Sequence, residues 1–378
     1  MIADRVMSLA LDKNGILYLV ANTWNKGKKN IDIRLVRINS DGSGGKIDLD
    51  GIIKENGHDI ARAAFAKDNI LYIIWSAFKN TDNNSNIVKS FIIKFDPKSG
   101  FQKKILDDVD FDPSNKDGGI NKIPSDENKG INIKESHSTA RAIFVDNNGR
   151  VYVSNTTSKP TIFAIPIYYT TIKRYNPDGT EDKDFNKKFM EFINNPNDFR
   201  NKIFVNNGIL GGKFAGEPRV EGHITSIYVD KHNRIYIAGN SQKGPYLMRF
   251  TSKGEIDTTF GEQGIVSIEP IEANILSIEN YIDIVPMLNS ISFDEKERKI
   301  NAIIEYPETK ESKIIVFNMD GKIEKEFKNE NTPRYTTVTN ENNYDFMLSQ
   351  LIPTNNVITT KDGKTYVANN NGIYFISK

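Results

Sequence analysis

Three of the four histidines lie close to the start of short hydrophobic segments, in the sequences GHDIARAAF, SHSTARAIF and GHITSIYVD. They are His58, His137 and His223. Imidazole nitrogens are common zinc ligands, and three that converge leave a fourth coordination position for water or substrate. The sequence therefore offers a zinc centre of the kind used by metal-dependent lyases and hydrolases. The alternative interpretation is that these are polar residues facing a water-filled channel.

The spacing of these residues refines the ligand set. His58 and His137 each lie seven residues before the phenylalanine near the end of their segment, whereas His223 lies five residues before the corresponding tyrosine. Glu221 occupies the seventh place in that third segment. The best-aligned ligand set is thus His58, His137 and Glu221, with His223 as an alternate ligand.

Two arginines repeat within the two ARA segments. Arg62 and Arg141 each lie three residues before the phenylalanine of their segment. Two guanidinium groups in a narrow channel would bind a carboxylate or a phosphate, because their planar donors match those anions. The simpler interpretation pairs them with carboxylates of their own segments, such as Asp59.

Other sites are weaker or excluded. The segment DFDPSNKDGG (110–119) carries oxygen ligands for calcium at Asp110, Asp112, Asn115 and Asp117, but it lacks the closing glutamate of an EF-hand. The chain has no cysteine, which excludes thiol nucleophiles, disulfides and thiolate metal sites. It also lacks a phosphate-binding GxxxxGK loop and a nucleophile elbow. We therefore expect no obligatory cofactor, with zinc and calcium as the two metals left open.

The elements that must position these residues are β-strands that recur along the chain. Six segments read ILYLV, ILYII, RVYVS, RIYIA, KINAI and KTYVA, and they align one tyrosine or asparagine in each at intervals of 54, 80, 84, 65 and 65 residues. The aligned residues are Tyr18, Tyr72, Tyr152, Tyr236, Asn301 and Tyr366. Each follows an apolar strand and a polar turn and precedes a third strand, and most units continue with a second turn and a short fourth strand. Such a repeat predicts a β-propeller blade.

The predicted fold is all-β, a single domain over residues 1–378 that forms a six-bladed β-propeller of four-stranded antiparallel blades. A seventh blade, the alternative, would have to lie within 157–221 or 327–349, where no clear motif is present. The sixth unit ends at its third strand. Either that blade has three strands, or residues that precede Met1 in a longer protein complete it.

One unit resembles a known repeat. Residues 234–268 resemble the delta-60 type propeller repeat of many bacterial proteins, which combines AG after the second strand, an R-x-N-x-D-G third strand and a D-x-x-F-G-x-x-G ending. The matching residues are Ala238, Gly239, Arg249, Asp257, Phe260, Gly261 and Gly264. Residues 174–189 form a weaker copy in which FG has become Phe185-Asn186. The resemblance implies a propeller, often in secreted or surface proteins of bacteria, and no single chemistry.

Long insertions at 107–136, 190–222 and 328–344 are expected on one face of the propeller, because they precede first strands. Loops of this length in a compact domain are usually functional or disordered. Within the second insertion, Met190, Ile193, Phe199 and Phe204 are predicted to form a short helix or an irregular flap over the channel mouth. Phe199 and Phe204 are the candidate contact residues.

Composition narrows the class of partner. The chain of 378 residues has 50 Lys and Arg against 49 Asp and Glu, a formal net charge of +1, which disfavours nucleic acid. It has no apolar stretch of about 18 residues that would insert into a membrane. The sequence favours a soluble, non-catalytic binding or scaffolding propeller that recognises a protein, a peptide or a glycan. We expect a secreted or cell-surface location although no signal peptide is present, with the cytoplasm as the alternative, and the sequence does not predict an oligomeric state.

Overall fold

The strands of this protein pair only within small antiparallel sheets. The computed structural model describes residues 5–25, 30–39, 41, 43–47, 58–80, 86–99, 102–106, 138–159, 167–195, 197–198, 200, 205–207, 223–241, 244–268, 286–294, 296–306, 311–329, 356–359, 365–369 and 372–376. These residues form five sheets of four strands and one sheet of three strands, each with its strands in consecutive order. This arrangement is a β-propeller.

The strands of each blade follow one another along the chain. Blade 1 comprises β1 (Arg5–Leu11), β2 (Leu17–Asn25), β3 (Asn30–Ile38) and β4 (Gly44–Ile47). Blade 2 comprises β5 (His58–Lys67), β6 (Ile70–Asn80), β7 (Asn86–Phe95) and β8 (Gln102–Leu106). Blade 3 comprises β9 (Ser138–Val145), β10 (Val151–Lys159), β11 (Ile167–Tyr175) and β12 (Val205–Asn207), with α1 (Lys183–Ile193) between β11 and β12.

The second half of the chain repeats this order. Blade 4 comprises β13 (His223–Val229), β14 (Ile235–Ser241), β15 (Gly244–Phe250) and β16 (Ile265–Ser267). Blade 5 comprises β17 (Met287–Asp294), β18 (Lys299–Tyr306), β19 (Glu311–Asn318) and β20 (Ile323–Asn329). The three-stranded sheet comprises β21 (Asn356–Thr359), β22 (Thr365–Asn369) and β23 (Gly372–Ile376).

The predicted number of blades is wrong. The structure has five four-stranded blades rather than six or seven, and the last repeat forms only the three-stranded sheet. In the described residues no fourth strand pairs with β23. The repeat in the sequence marks the buried first and second strands, whereas fourth strands are short and exposed and leave little hydrophobic pattern to count.

The first strands lie side by side around the centre. Strand β5 contacts β1 and β9, β13 contacts β9 and β17, and β21 contacts both β17 and β1. Each is the edge strand of its sheet. The three-stranded sheet therefore lies between blade 5 and blade 1.

The middle strands are buried on both faces because each blade packs between two others. Every residue of β14 and β15 is buried, which explains the continuous apolar sequences IYIA and YLM in place of a strict alternation. Aromatic residues of successive first strands pack against one another between blades. The ring centroids of Phe65 and Phe144 are 4.4 Å apart, those of Phe144 and Tyr228 are 5.2 Å apart, and those of Tyr228 and Phe293 are 3.5 Å apart.

An aspartate closes the turn between the first two strands of most blades. In blade 3, Asp146 Oδ1 accepts the backbone N–H groups of Asn148 and Arg150, both at 2.9 Å. Gly149 has a φ of 78°, which glycine adopts without strain. In blade 4, Asp230 makes the same two bonds to the N–H groups two and four residues later. The tight Asn- and Gly-containing turns that the sequence predicts are thus present.

Helix α1 joins the third and fourth strands of blade 3. Asp182 caps its N-terminus by accepting the N–H of Phe185 at 3.1 Å. Phe185, Phe189 and Ile193 recur every four residues, and all three are buried against the core of blades 3 and 4. In the described residues no helix is long and apolar enough to cross a membrane.

Candidate functional site

The first strands of the five blades share a β-bulge at one level of the centre. One residue on each first strand is skipped in the pairing with the second strand, and the register then continues. The skipped residues are Met7, Arg62, Arg141, Thr225 and Asn289. Both predicted arginines therefore occupy the bulge, on the neighbouring strands β5 and β9. Bulges often occur beside active sites because they redirect a side chain.

The histidines lie at the other end of these strands from the hairpin turns. His58 is the first residue of β5 and pairs with Phe78, and His223 is the first residue of β13 and pairs with Asn240. His58 lies four residues before its bulge and His223 two residues before its own. His137 directly precedes β9, the strand between β5 and β13. His137 and Glu221 lie outside the described residues.

The zinc, calcium and arginine hypotheses therefore remain predictions. Residues 110–119, the candidate calcium loop, lie outside the described residues. Among the residues that the structure describes, no group of three or more His, Cys, Asp or Glu side chains could hold a metal ion.

Part of the flap that was predicted over the channel mouth lies at the turn end of blade 3 instead. Met190 and Ile193 belong to α1, and Ile193 is buried in the core of blades 3 and 4. The helix follows β11, so the chain enters it from the turn end of the blade, opposite the connections between blades. Phe199 and Phe204 lie outside the described residues, and their position in the chain is between α1 and β12. Only residues 208–222 of that insertion connect two blades.

The turn end of blade 4 contains a buried arginine that joins two blades. Arg249, only 2% exposed, lies over the ring of Phe260, with its Cζ atom 5.0 Å from the ring centroid. Its Nε donates to Asp257 Oδ2 at 2.7 Å, and one terminal nitrogen donates to the carbonyl of Met319 in blade 5, also at 2.7 Å. We call the side chains of Arg249, Asp257, Phe260 and Tyr236 the interblade staple. Tyr236 lies on the neighbouring strand β14.

Blade 3 contains a second interblade staple. Arg174 Nε donates to Asp182 Oδ2 at 2.8 Å, and a terminal nitrogen donates to the carbonyl of Ser252 in blade 4 at 2.7 Å. Its Cζ atom lies 4.2 Å from the centroid of Phe185. Burial raises the pKa of Tyr152 in this staple to about 12, so its hydroxyl stays neutral. Both staples use residues of the same sequence motif. These are the arginine, the aspartate eight residues later and the phenylalanine three residues after the aspartate.

A glycine in the following blade receives each phenylalanine. A Cβ atom on Gly254 would lie 3.1 Å from the ring of Phe185, and one on Gly321 would lie 3.1 Å from the ring of Phe260. Both glycines also have positive φ, of 85° and 86°. The turn glycine of one blade thus provides space for the staple of the preceding blade.

The stability of the protein should decrease at acid pH as Asp257 becomes protonated. Burial would raise the pKa of Asp257, but hydrogen bonds from Thr259 and Arg249 hold that pKa below its ordinary value. A lowered pKa contributes stability that is present above about pH 4 and is lost as the pH falls through the folded-state value. Asp257→Asn should therefore flatten the loss of unfolding free energy between pH 5 and pH 3, measured by urea denaturation. The exposed control Asp320→Asn should keep the wild-type slope, and an unchanged slope in Asp257→Asn would contradict this assignment.

Side chains of the strands also bind the backbone of the next blade. Asn240 donates to the Leu288 carbonyl at 2.9 Å and accepts the Leu288 N–H at 2.6 Å. Asn22 makes the equivalent pair of bonds to Ala61, at 3.2 and 2.9 Å. Ser8 Oγ likewise bonds both backbone groups of Ala64. The sequence patterns did not predict these residues, although both asparagines lie four residues after the repeated tyrosine.

Part of the chain matches a protein family. A family described as "Domain of unknown function (DUF5122) beta-propeller" matches residues 233–260, which include β14, β15 and the interblade staple of blade 4. The match supports a β-propeller repeat and covers a small part of the chain. No curated protein matches the sequence.

Solved structures resemble the protein only at low similarity. The xylan beta-1,4-xylosidase from Bacillus halodurans C-125 has a TM-score of 0.40 and 13% identity over 85% of this chain and 55% of its own. The polysaccharide lyase Uly1 has a TM-score of 0.40 and 10% identity, over 83% of this chain and 56% of its own. Hydrazine synthase from Kuenenia stuttgartiensis has a TM-score of 0.44 and 9% identity, over 100% and 96%. This chain thus spans little more than half the length of the first two.

Proposed function

We propose that this β-propeller is a non-catalytic binding or scaffolding module. It recognises a protein, a peptide or a glycan through the face from which the connections between blades emerge. The observation that carries the proposal is the unequal length of the connections at the two ends of the strands. We call the two faces the connection face and the turn face.

Most of the long segments of the chain begin and end at the connection face, although residues 176–204, which include α1, join β11 to β12 at the turn face. The segments between consecutive sheets comprise residues 48–57, 107–137, 208–222, 268–286 and 330–355. By contrast, every hairpin between a first and a second strand has five residues or fewer. Because neighbouring strands are antiparallel, all of these hairpins lie at the turn face, and every segment between sheets begins and ends at the connection face. The long segments that join one blade to the next are therefore attached at one face.

The polar groups of the turn face have internal roles in blades 3 and 4. Asp146 and Asp230 close hairpins, and Arg174 and Arg249 join blades. Groups used in this way are not free to bind a partner. The connection face also receives residues 160–166, which join β10 to β11 and read PTIFAIP. Apolar and aromatic side chains such as Phe163 are typical of the centre of a protein interface, which supports a protein or peptide partner.

Shortening one connection should separate binding from folding. We expect that replacing residues 110–134 by a short Gly-Ser linker will leave the thermal unfolding midpoint within about 3 °C of wild type, because loop length has a small effect on stability. The same variant should fail to recover the partner that wild type recovers in a pull-down from native extract, with the loss confirmed by biolayer interferometry on that partner. A turn-face control, Lys253→Glu, should recover the partner as wild type does. Equal recovery by the shortened variant would count against the proposal.

A second candidate is a metal-dependent lyase or hydrolase on the propeller axis. The register favours it, because His58 and His137 both lie four residues before the bulge arginine on neighbouring strands. With Glu221 or His223 they would complete a ligand set, and Arg62 or Arg141 would neutralise a substrate carboxylate. Elemental analysis of protein purified without chelator discriminates the two candidates. One zinc per chain that is lost in His58→Ala and His137→Ala would support the enzyme and overturn the non-catalytic proposal.

A further inference from the structure

Blade 1 contains half of an interblade staple. Tyr18 pairs with Arg37 across β2 and β3, as Tyr152 pairs with Arg174 and Tyr236 with Arg249 in the complete staples. The tyrosine and the arginine are thus present in the same register in blades 1, 3 and 4.

The carboxylate of the staple is missing from blade 1. In blades 3 and 4 the residue eight positions after the arginine is aspartate, and its N–H donates to the arginine carbonyl at 2.9 and 2.8 Å. In blade 1 that residue is Gly45, which pairs with Arg37 across β3 and β4. Gly45 therefore takes the backbone position of the acid and supplies no carboxylate.

Arg37 has no substitute partner in the part of the chain that the structure describes. Its Nε atom is buried without a hydrogen-bond acceptor, while the side chain as a whole is partly exposed. Asp96, in the facing turn of blade 2, already accepts the N–H of Lys98 at 2.9 Å and the hydroxyl of Ser99 at 2.8 Å. Among the described residues the guanidinium is thus unpaired, and the side chain that carries it is partly exposed.

Blade 1 also lacks the second arginine of the complete blades. In blade 3, Arg150 Nε donates to Asp146 Oδ2 at 2.6 Å, and blade 4 has the same pair. Blade 1 has Ile16 at that position, and Asp12 Oδ2 is buried without a donor. The pKa of the Tyr18 hydroxyl is raised by burial, by the charge of Asp12 and by hydrogen bonding to Asp12, and it is lowered by the charge of Arg37. Arg37, whose Nε atom lacks an acceptor, therefore lies beside a tyrosine that also interacts with Asp12.

The space that the missing carboxylate would fill is open. A Cβ atom on Gly45 would meet no atom within 4 Å. The guanidinium group of arginine is a strong donor to carboxylates, and Asp182 and Asp257 each accept the Nε–H of an arginine in this chain. We propose that Arg37, beside Tyr18, forms a binding site for a small carboxylate at the turn face between blades 1 and 2, in the place that the aspartate of a complete staple would occupy.

Saturation-transfer NMR with sodium glycolate tests this site, since glycolate is a small carboxylate. We expect transfer to its methylene protons in wild type, at an ionic strength held constant with sodium chloride. Transfer should fall at least fivefold in Arg37→Gln, which removes the charge, and in Gly45→Asp, which supplies the carboxylate within the chain. The exposed control Lys253→Gln should behave as wild type.

Gly45→Asp protects the test against a folding defect, because the added carboxylate completes the staple and should raise the thermal midpoint. Absence of transfer in wild type would overturn the proposal. So would transfer that persists in either Arg37→Gln or Gly45→Asp.

Discussion

Arg249→Met should lower the free energy of unfolding by about 3 kcal/mol, because removal of one partner of a buried ion pair leaves the other unpaired. Methionine retains much of the stem that packs between Tyr236 and Phe260. It cannot bond Asp257 or the carbonyl of Met319, which the guanidinium reaches at 2.7 Å each. The loss should appear in urea denaturation at pH 7.

Two further variants test the origin of that loss. The exposed Lys253→Met in the same blade should change stability by no more than about 0.5 kcal/mol. Asp257→Asn combined with Arg249→Met should cost less than the sum of the two single variants, because neither charge then remains alone. Strict additivity would show that the ion pair does not contribute to the stability of the joint.

Asn240→Ala should lower the free energy of unfolding by about 2 kcal/mol, because it leaves two buried backbone groups without partners. The amide of Asn240 holds both the N–H and the carbonyl of Leu288, which is fully buried in blade 5. Asn240→Asp should be at least as damaging at pH 7, since a carboxylate oxygen would face the Leu288 carbonyl oxygen. Thermal and urea denaturation of both variants measure the effect.

The exposed Asn147→Ala provides the matched control and should stay within about 0.5 kcal/mol of wild type. A comparable loss in that control would indicate a general effect of removing asparagine. An Asn240→Ala protein as stable as wild type would show that the joint between blades 4 and 5 does not depend on this amide.

Much of the fold could be predicted from the sequence, because the buried strands carry a strong signal. Repeated segments such as those at Tyr152 and Tyr236 marked second strands, and turns with Asn and Gly marked hairpins. The number of complete blades could not be predicted in this way. The last unit has the same first three strands as the others, and a fourth strand such as β16 contributes only partly exposed residues.

The candidate site was less predictable, because its features depend on pairing between strands. The bulges at Arg62 and Arg141 result from a register shift that a single strand does not show. The end of α1 falls within the insertion 190–222 that is predicted for the connection face, because the three-residue β12 has no recognisable pattern that would divide this insertion. The motif around Arg249 was recognised, but the carbonyl that it binds belongs to another repeat.

The interblade staple has a consequence for how such repeats can be exchanged. Phe260 of blade 4 needs the glycine of blade 5 at position 321, and Phe185 of blade 3 needs Gly254 of blade 4. Each packing unit therefore begins in one blade. It ends in the following blade, at the glycine of the turn between the third and fourth strands. A duplication, deletion or graft would preserve this packing only if its ends do not separate the phenylalanine from the glycine of the next blade. The segment that can be exchanged intact therefore does not coincide with one blade.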